Sequence, residues 1–393
     1  MRALFVSDVY FPRVNGVSTS IRTFRSDLAA QGVQTLLVAP HYPAGEEAAE
    51  DSLLRIRSAG VPGDPEDRRM AWGALTRALD ALPRSAFDLV HIHTPFIAHY
   101  AGVRAARRAR VPCVATYHTF FEEYLHHYVP ALPRAIGRFA ARHFTRSQCA
   151  AVDALIAPSE PMRAVLTAYG VRTPIHVLPT GLGADRFRSG DGAAFRARAG
   201  IGATRPLVTY IGRVAHEKNI GFLVRVFARV LAARPEAMLV IAGEGPAREG
   251  LRAQVAALGL SAQVHFAGYL DRDTALLDCY AAADVFVFAS RTETQGLVLL
   301  EAMAQGTAVV STAELGTRSV LLPASGALVV PEDEAAFTAA VVRVLGDATL
   351  RAQLGERGRS YARTWSSAAM ARRLGELYDS LRAVPLRVPA SAP

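Results

Sequence analysis

Two glutamates, an arginine and a lysine carry the chemistry this sequence suggests. Glu293 and Glu301 stand with seven residues between them in the stretch Ala283 to Val310, ADVFVFASRTETQGLVLLEAMAQGTAVV. Spanned by helix, they would lie ~12 Å apart along the axis. That is about the length from the sugar to the ribose of a nucleotide sugar. Between them the backbone N–H groups of Gln295, Gly296 and Leu297 fall at a helix N-terminus, an uncharged anion site suited to a diphosphate. Arg213 and Lys218, five apart around a loop and a helix start, can reach one point from different sides. Lys218 is the only lysine in a chain rich in arginine, and an ammonium is a compact point donor that a guanidinium does not mimic. The plainer alternative makes Glu301 a solvated helix residue, Glu293 a loop charge and the two cations surface charge.

The elements around these residues form an α/β pattern. Val285 to Phe288 is a short apolar run that reads as a buried parallel strand. A loop follows from Ser290 to Gln295. Gly296 then leads into a helix holding Leu297, Leu300, Met303 and Ala304, which Gly306 ends as a C′ glycine. Thr307 to Ser311 starts the next strand. In such sheets ligands bind beyond the carboxyl ends of the strands, where this loop sits.

The same pattern runs through the chain. Ala3 to Ser7 is a first strand, followed by the loop DVYFPRVNGVS, where Gly16 lets backbone approach a ligand and Ser18 or Thr19 is a candidate helix cap. Gln34 to Ala39 is a second strand. Residues 43 to 69, rich in Pro, Gly and acids, read as a loop with one short strand inside. Leu89 to His93 places His91 and His93 on one face, but without a third or fourth ligand at fixed spacing the pair reads as structural. Pro112 to His118, Leu155 to Pro158 and Ile175 to Leu178 are strands, and PTGLGADRF (Pro179 to Phe187) is a Gly-rich connection. The pattern then restarts with strands Leu207 to Ile211, Met238 to Gly245 and Gln263 to Phe266, the last leading to Gly268 and Tyr269. Asp271-Arg272-Asp273 has the spacing of a metal-binding D-x-D triplet. It precedes the helix TALLDCYAAA, so one of its acids reads as an N-cap.

At 393 residues the chain suits two domains. No apolar run approaches the ~20 residues that span a bilayer. The three cysteines, Cys113, Cys149 and Cys279, lack disulfide or metal spacing, which points to a reducing, cytoplasmic compartment. The net charge of +9 suits an anionic partner: nucleic acid, an acidic lipid surface or a phosphorylated substrate. Arg134, Arg138, Arg142 and Arg146 recur every four residues and form a drifting basic stripe flanked by Ile136, Phe139, Ala140 and Phe144. Such a helix reads either as a membrane-surface element or as a solvated face. No basic–aromatic module supports nucleic-acid binding.

TETQGLVLLEAMAQG resembles the E-x7-E motif of the retaining glycosyltransferases of family 4, and the resemblance covers nearly the whole chain. It implies the GT-B fold: two doubly wound Rossmann-like α/β domains facing across a cleft. Residues 1–180 would bind the acceptor and 181–365 the nucleotide sugar, with a helix in 366–393 crossing back to the first domain. The family's pattern assigns Glu301 to the donor ribose, Glu293 and His118 to the transferred sugar, and Gly268 and Tyr269 to the base. Arg213, Lys218, Gly16 and the backbone at Gln295, Gly296 and Leu297 would take the diphosphate. The family has a similar D-x-V-H-x-H strand without metal. Its connecting segment is usually N-G-V-D, from which Thr180, Leu182 and Gly183 depart.

The segment TFFEEYLHHYVP resembles a loop of bacterial glycosyltransferases acting on diacylglycerol. The implied reaction moves glucose from UDP-glucose to a membrane lipid, with no metal or other cofactor and no separate base. The arginine stripe would face an anionic membrane, on the inner face of the cell membrane. A GDP-mannose-dependent enzyme acting on phosphatidylinositol, polysaccharide or a soluble acceptor is the alternative. A sugar-nucleotide epimerase and a nucleic-acid-binding protein are the more distant ones.

Overall fold

The computed structural model describes residues 1–43, 52–61, 64–118 and 134–383. The chain divides into two compact units, one of Met1–Gly181 with the segment from Ser367 onward, the other Leu182–Ser366.

Among the described residues the first unit is built on seven parallel strands: β1 (Arg2–Val6), β2 (Gln34–Pro40), β3 (Leu53–Ile56), then β6 (Leu89–Ile92), β7 (Cys113–Thr116), β8 (Ala154–Ala157) and β9 (Ile175–Val177). Two further strands, β4 (Ser58–Val61) and β5 (Asp64–Met70), form a separate antiparallel hairpin. The sheet order is β3-β2-β1-β6-β7-β8-β9. The chain therefore winds outward from β1 through β2 to β3, returns to β6 on the other side of β1, and winds outward again. The gap between the carboxyl ends of β1 and β6 is the switch point where doubly wound sheets bind ligands. The strands are apolar on both faces because helices cover both. Leu4, Phe5, Val6, Leu89 and Val90 are fully buried.

Two local elements differ from the sequence expectation. The first helix, Gly16–Ala30, is capped by Asn15, whose Oδ1 accepts from the Ser18 N–H at 2.8 Å. Asn15 has the extended backbone of a cap, whereas Ser18 and Thr19 already lie within the helix. Residues 43 to 69 hold three strands where one was expected. Leu53, Leu54 and Ile56 extend the parallel sheet, and the hairpin carries polar residues because one of its faces meets solvent. The helix Ser367–Ala383 packs on Gly16–Ala30, burying Leu374, Leu377 and Tyr378 in the first unit's core.

The second unit repeats the plan with β10 (Leu207–Ile211), β11 (Met238–Ala242), β12 (Val264–Gly268), β13 (Val285–Phe288), β14 (Ala308–Ser311) and β15 (Leu328–Val329). All are parallel, in the order β12-β11-β10-β13-β14-β15, so its switch point lies between β10 and β13. Both strands are buried throughout. Arg196 ties the β13 entrance in place through Asp284, whose Oδ2 also accepts from the Leu207 N–H at 2.8 Å.

Candidate active site

The second switch point brings together residues that are far apart in sequence. β10 and β13 are hydrogen-bonded neighbours. Their exits, Gly212–Lys218 and Ala289–Gly296, therefore emerge side by side. Lys218 closes a short turn, His216–Lys218, and its Nζ donates to Glu293 Oε1. The two side chains are 17% and 19% exposed. Asn219, in the left-handed region at φ 56°, donates from Nδ2 to the Ala289 carbonyl at 3.2 Å and joins the two exits. Arg213 lies on the same exit as the lysine. Its guanidinium faces Glu217 at 3.6 Å, and its carbonyl accepts from the buried Tyr210 hydroxyl at 3.0 Å.

The loop bearing Glu293 is held from below by a residue that sequence reasoning passed over. The Gly316 N–H donates to the Glu293 carbonyl at 2.8 Å. A Cβ at Gly316 would stand 2.0 Å from the Thr294 carbonyl oxygen, so only glycine allows this approach. The one visible signal was a glycine shortly after β14. Gly296, at φ 97°, is the N-cap of the helix Leu297–Ala304, so a left-handed turn aims the loop before the helix begins. Gln295 beside it is buried, and Leu297 opens the helix. Gly306, at φ 74°, closes it as expected.

Glu301 is no solvated helix residue, being 4% exposed. Its Oε1 accepts from the Arg272 guanidinium at 2.5 Å and its Oε2 from the Tyr280 hydroxyl at 3.1 Å. Burial alone would lower the Arg272 pKa. The charge and hydrogen bond of Glu301 outweigh it, and the guanidinium stays charged. Burial and the same carboxylate push Tyr280 well above its ordinary value, so it remains a donor. The D-x-D triplet serves as scaffold. Asp271 Oδ1 accepts from the N–H groups of Asp273 and Thr274 and from the Thr274 hydroxyl, a turn just ahead of the helix Ala275–Ala282. Asp273 pairs with Arg186 at 3.0 Å. The residue between the acids reaches the site. Gly268 ends β12, accepting from the Gly243 N–H at 2.8 Å, and Tyr269 beyond it is 46% exposed.

In the first unit Gly16 opens its helix at the carboxyl side of β1. A Cβ there would meet no heavy atom within 4 Å, so no protein contact demands glycine. Asp8, in the same loop, accepts from the Thr94 hydroxyl at 2.8 Å and the Ala98 N–H at 3.1 Å. It joins the β1 and β6 exits, and burial raises its pKa to about 6. His118 follows β7 and lines a pocket with Thr94, Pro95, His99, Tyr117 and Gln148. Burial pulls its pKa down to about 4, so near neutrality it is an uncharged imidazole suited to a sugar hydroxyl. It stacks on His93, whose ring is tilted against that of His91 at 4.0 Å between ring centres. His91 is structural: its ring nitrogens meet the Tyr378 hydroxyl at 2.5 Å and the Thr116 hydroxyl at 2.7 Å.

Arg134 opens the helix Arg134–Ala150. Its buried side holds Ala141, Thr145, Gln148 and Cys149. Arg138, Arg142 and Arg146 are exposed, as are Ile136 and Phe139, and the Arg142 guanidinium also lies 5.1 Å from the Tyr169 ring centre. The segment TFFEEYLHHYVP lies outside the described residues. Among the described residues no helix is long and apolar enough to cross a membrane.

Two doubly wound parallel-sheet units, the second with paired glutamates and a lysine at its switch point, define a glycosyltransferase of the GT-B fold. The fold matches that of sucrose-phosphate synthase from Thermosynechococcus elongatus with a TM-score of 0.80 at 23% identity, over 98% of this chain and 100% of that one. The family described as Glycosyltransferase Family 4 matches residues 14–186, and that described as Glycosyl transferases group 1 matches residues 192–361. The chain is 33% identical over 318 residues to the alpha-monoglucosyldiacylglycerol synthase of Streptococcus pneumoniae, spanning 79% of this chain and 71% of that protein. It is 31% identical over 338 residues to a GDP-mannose-dependent alpha-mannosyltransferase of Mycobacterium tuberculosis, spanning 85% of each. The chain belongs to this family of glycosyltransferases.

Proposed function

We propose that this glycosyltransferase moves glucose from UDP-glucose to a membrane lipid such as diacylglycerol, with retention at the anomeric carbon. The observation that carries the donor half is the pairing of Lys218 with Glu293 at the second unit's switch point, in the loop that leads into the helix bearing the buried Glu301. In this reading Glu301 accepts from the ribose hydroxyls, and Gly268 and Tyr269 hold the base. Glu293 binds the sugar, as does His118 by the role the resemblance gives it. Lys218, Arg213, the backbone at Gln295, Gly296 and Leu297, and Gly16 hold the diphosphate. As the anomeric C–O bond breaks, these fixed positive groups stabilise the leaving phosphate. The phosphate oxygen takes the acceptor's proton, so the reaction needs neither a separate base nor a divalent metal.

The lipid half is supported by the similarity to a protein named for glucosyldiacylglycerol synthesis and by the exposed arginines and Phe139 of the helix Arg134–Ala150. Each arginine near an anionic leaflet adds ~1 kcal/mol of attraction. The site of action we infer is the inner face of the cell membrane. The mannosyltransferase similarity supports a second reading, with GDP-mannose as donor and a phosphatidylinositol, polysaccharide or soluble acceptor.

A transfer assay decides between them. Labelled UDP-glucose and labelled GDP-mannose are offered with neutral or anionic vesicles containing diacylglycerol, with and without a chelator. Lipid-extractable label from UDP-glucose, increased by anionic lipid and unaffected by the chelator, is the expected result. Label that stays in water, or appears only from GDP-mannose, would overturn the lipid glucosylation reading.

A further inference from the structure

We propose that Arg272 and Tyr280 are positioning residues that set the donor's ribose specificity by fixing the orientation of the Glu301 carboxylate. This inference rests on the reading of Glu301 as the ribose acceptor and deepens it.

A glutamate side chain turns about its terminal bond through a broad range of angles, and a carboxylate offers about four acceptor positions over two oxygens. An unrestrained Glu301 would therefore present no defined pair of acceptors. Here each oxygen is claimed once, Oε1 by Arg272 at 2.5 Å and Oε2 by Tyr280 at 3.1 Å. That fixes the plane of the group and leaves acceptor capacity on each oxygen. Two vicinal hydroxyls, the 2′ and 3′ groups of a ribose, match such a pair. A nucleotide lacking one of them would forgo one of the two hydrogen bonds to this carboxylate.

The clamp is itself held. The Arg272 carbonyl accepts from Arg186 at 2.5 Å, and Asp273 pairs with the same guanidinium. Arg186 in turn is covered by Gln305, whose Nε2 donates to the Arg186 carbonyl at 2.7 Å. Tyr280 is fully buried in the core beneath β10 and β13. Arg272 also brings a positive charge against a carboxylate that is 4% exposed, which compensates its removal from water. The hydroxyl of Tyr280 could not do that alone. The two partners thus divide the work between charge and direction.

The test is equilibrium binding to the full chain of UDP and GDP, each beside its 2′-deoxy and 3′-deoxy counterparts, using whichever base binds. The wild type is expected to favour the ribonucleotide by about 10- to 100-fold. Glu301→Gln should remove that preference. Arg272→Gln and Tyr280→Phe should bring the ratio to within about 3-fold while leaving deoxynucleotide affinity unchanged, and Arg272→Lys, which keeps the charge, should retain part of it. If the wild type does not discriminate, the ribose reading of Glu301 falls. If it discriminates and Arg272→Gln and Tyr280→Phe still do, Glu301 keeps its role and the positioning role is overturned. Equal loss for ribo- and deoxynucleotides would likewise overturn it, as the mark of general disruption. Should Arg272→Gln fail to fold, Tyr280→Phe, which removes a single oxygen, decides.

Discussion

Lys218 and Glu293 pair at a site where both side chains are less than a fifth exposed. Taking two charges out of water offsets much of their mutual attraction, so net stabilisation is a weak reason for holding the lysine there. Its chemistry is that of a mobile point charge able to leave a carboxylate for a better anion. A donor diphosphate carries more charge than Glu293 and would draw the ammonium to itself, releasing the glutamate to accept from sugar hydroxyls. Lys218→Ala should therefore lower kcat by about 100- to 1000-fold, the usual cost of removing one stabilising donor at a developing oxyanion. Its thermal midpoint should move by only a few degrees. Lys218→Arg keeps the charge but imposes a planar fork, and it should recover only part of the rate. Turnover at saturating donor, beside a melting curve for each variant, separates these effects. Wild-type turnover in Lys218→Ala would remove Lys218 from the site.

A site of this kind is only as good as the segments that carry it, and here the second unit's acidic loop rests on a backbone-to-backbone approach. With a Cβ at residue 316 standing 2.0 Å from the Thr294 carbonyl oxygen, Gly316→Ala must push the loop aside by about an ångström. Displacements of that size away from the reacting atoms can cost about 100-fold in rate, and overpacking costs about 1–3 kcal/mol in stability. Catalytic efficiency, kcat/KM, is expected to fall by about 10- to 100-fold while the melting midpoint drops. An unchanged efficiency would show that the loop tolerates the shift. The contrast between Glu301 and Gly316 explains what the sequence could convey. β13 and its helix were legible because an apolar run followed by Gly-bounded helical periodicity states a strand and a helix locally. Lys218 was legible because it is the sole lysine. Arg272 was not, since its meaning lies in a partner 29 residues away. Gly316 was not, since a backbone contact leaves no side-chain pattern. The polar hairpin β4–β5 was hidden for a related reason, as a two-stranded element facing solvent has the composition of a loop.

At the scale of the whole molecule the two units differ in how their burial responds to acid. Among its described residues the first unit encloses four histidines that burial holds below their ordinary pKa of 6.5, His91 at about 3, His99 and His118 at about 4, and His93 well below, and burial lowers the more exposed His176 as well. Neighbouring histidines lower His91 and His93 further, and the charge of Arg25 acts on His93. In the unfolded chain these rings take up protons as the pH falls below 6.5, while in the folded unit they do not. The unfolded state then binds more protons, so stability falls as pH drops through this window. At pH 5 a ring such as His91 costs about 2 kcal/mol, at about 1.4 kcal/mol for each pH unit below 6.5. Asp8 opposes this. Its folded pKa of about 6 exceeds the ordinary 3.8, so its burial is destabilising above pH 6 and it returns about 1.4 kcal/mol between pH 6 and 5. Four rings outweigh one carboxyl, and the first unit should lose stability on mild acidification. The two tryptophans allow the units to be read apart, because Trp72 lies in the first and Trp365 in the second. Trp365→Phe leaves a fluorophore reporting the first unit, and Trp72→Phe leaves one reporting the second. Between pH 7.5 and pH 5.0 the Trp72 signal should melt at a markedly lower temperature. A Trp72 transition that stays constant over that range would mean that the folded unit protonates these histidines without opening, and that their burial is not what keeps them neutral.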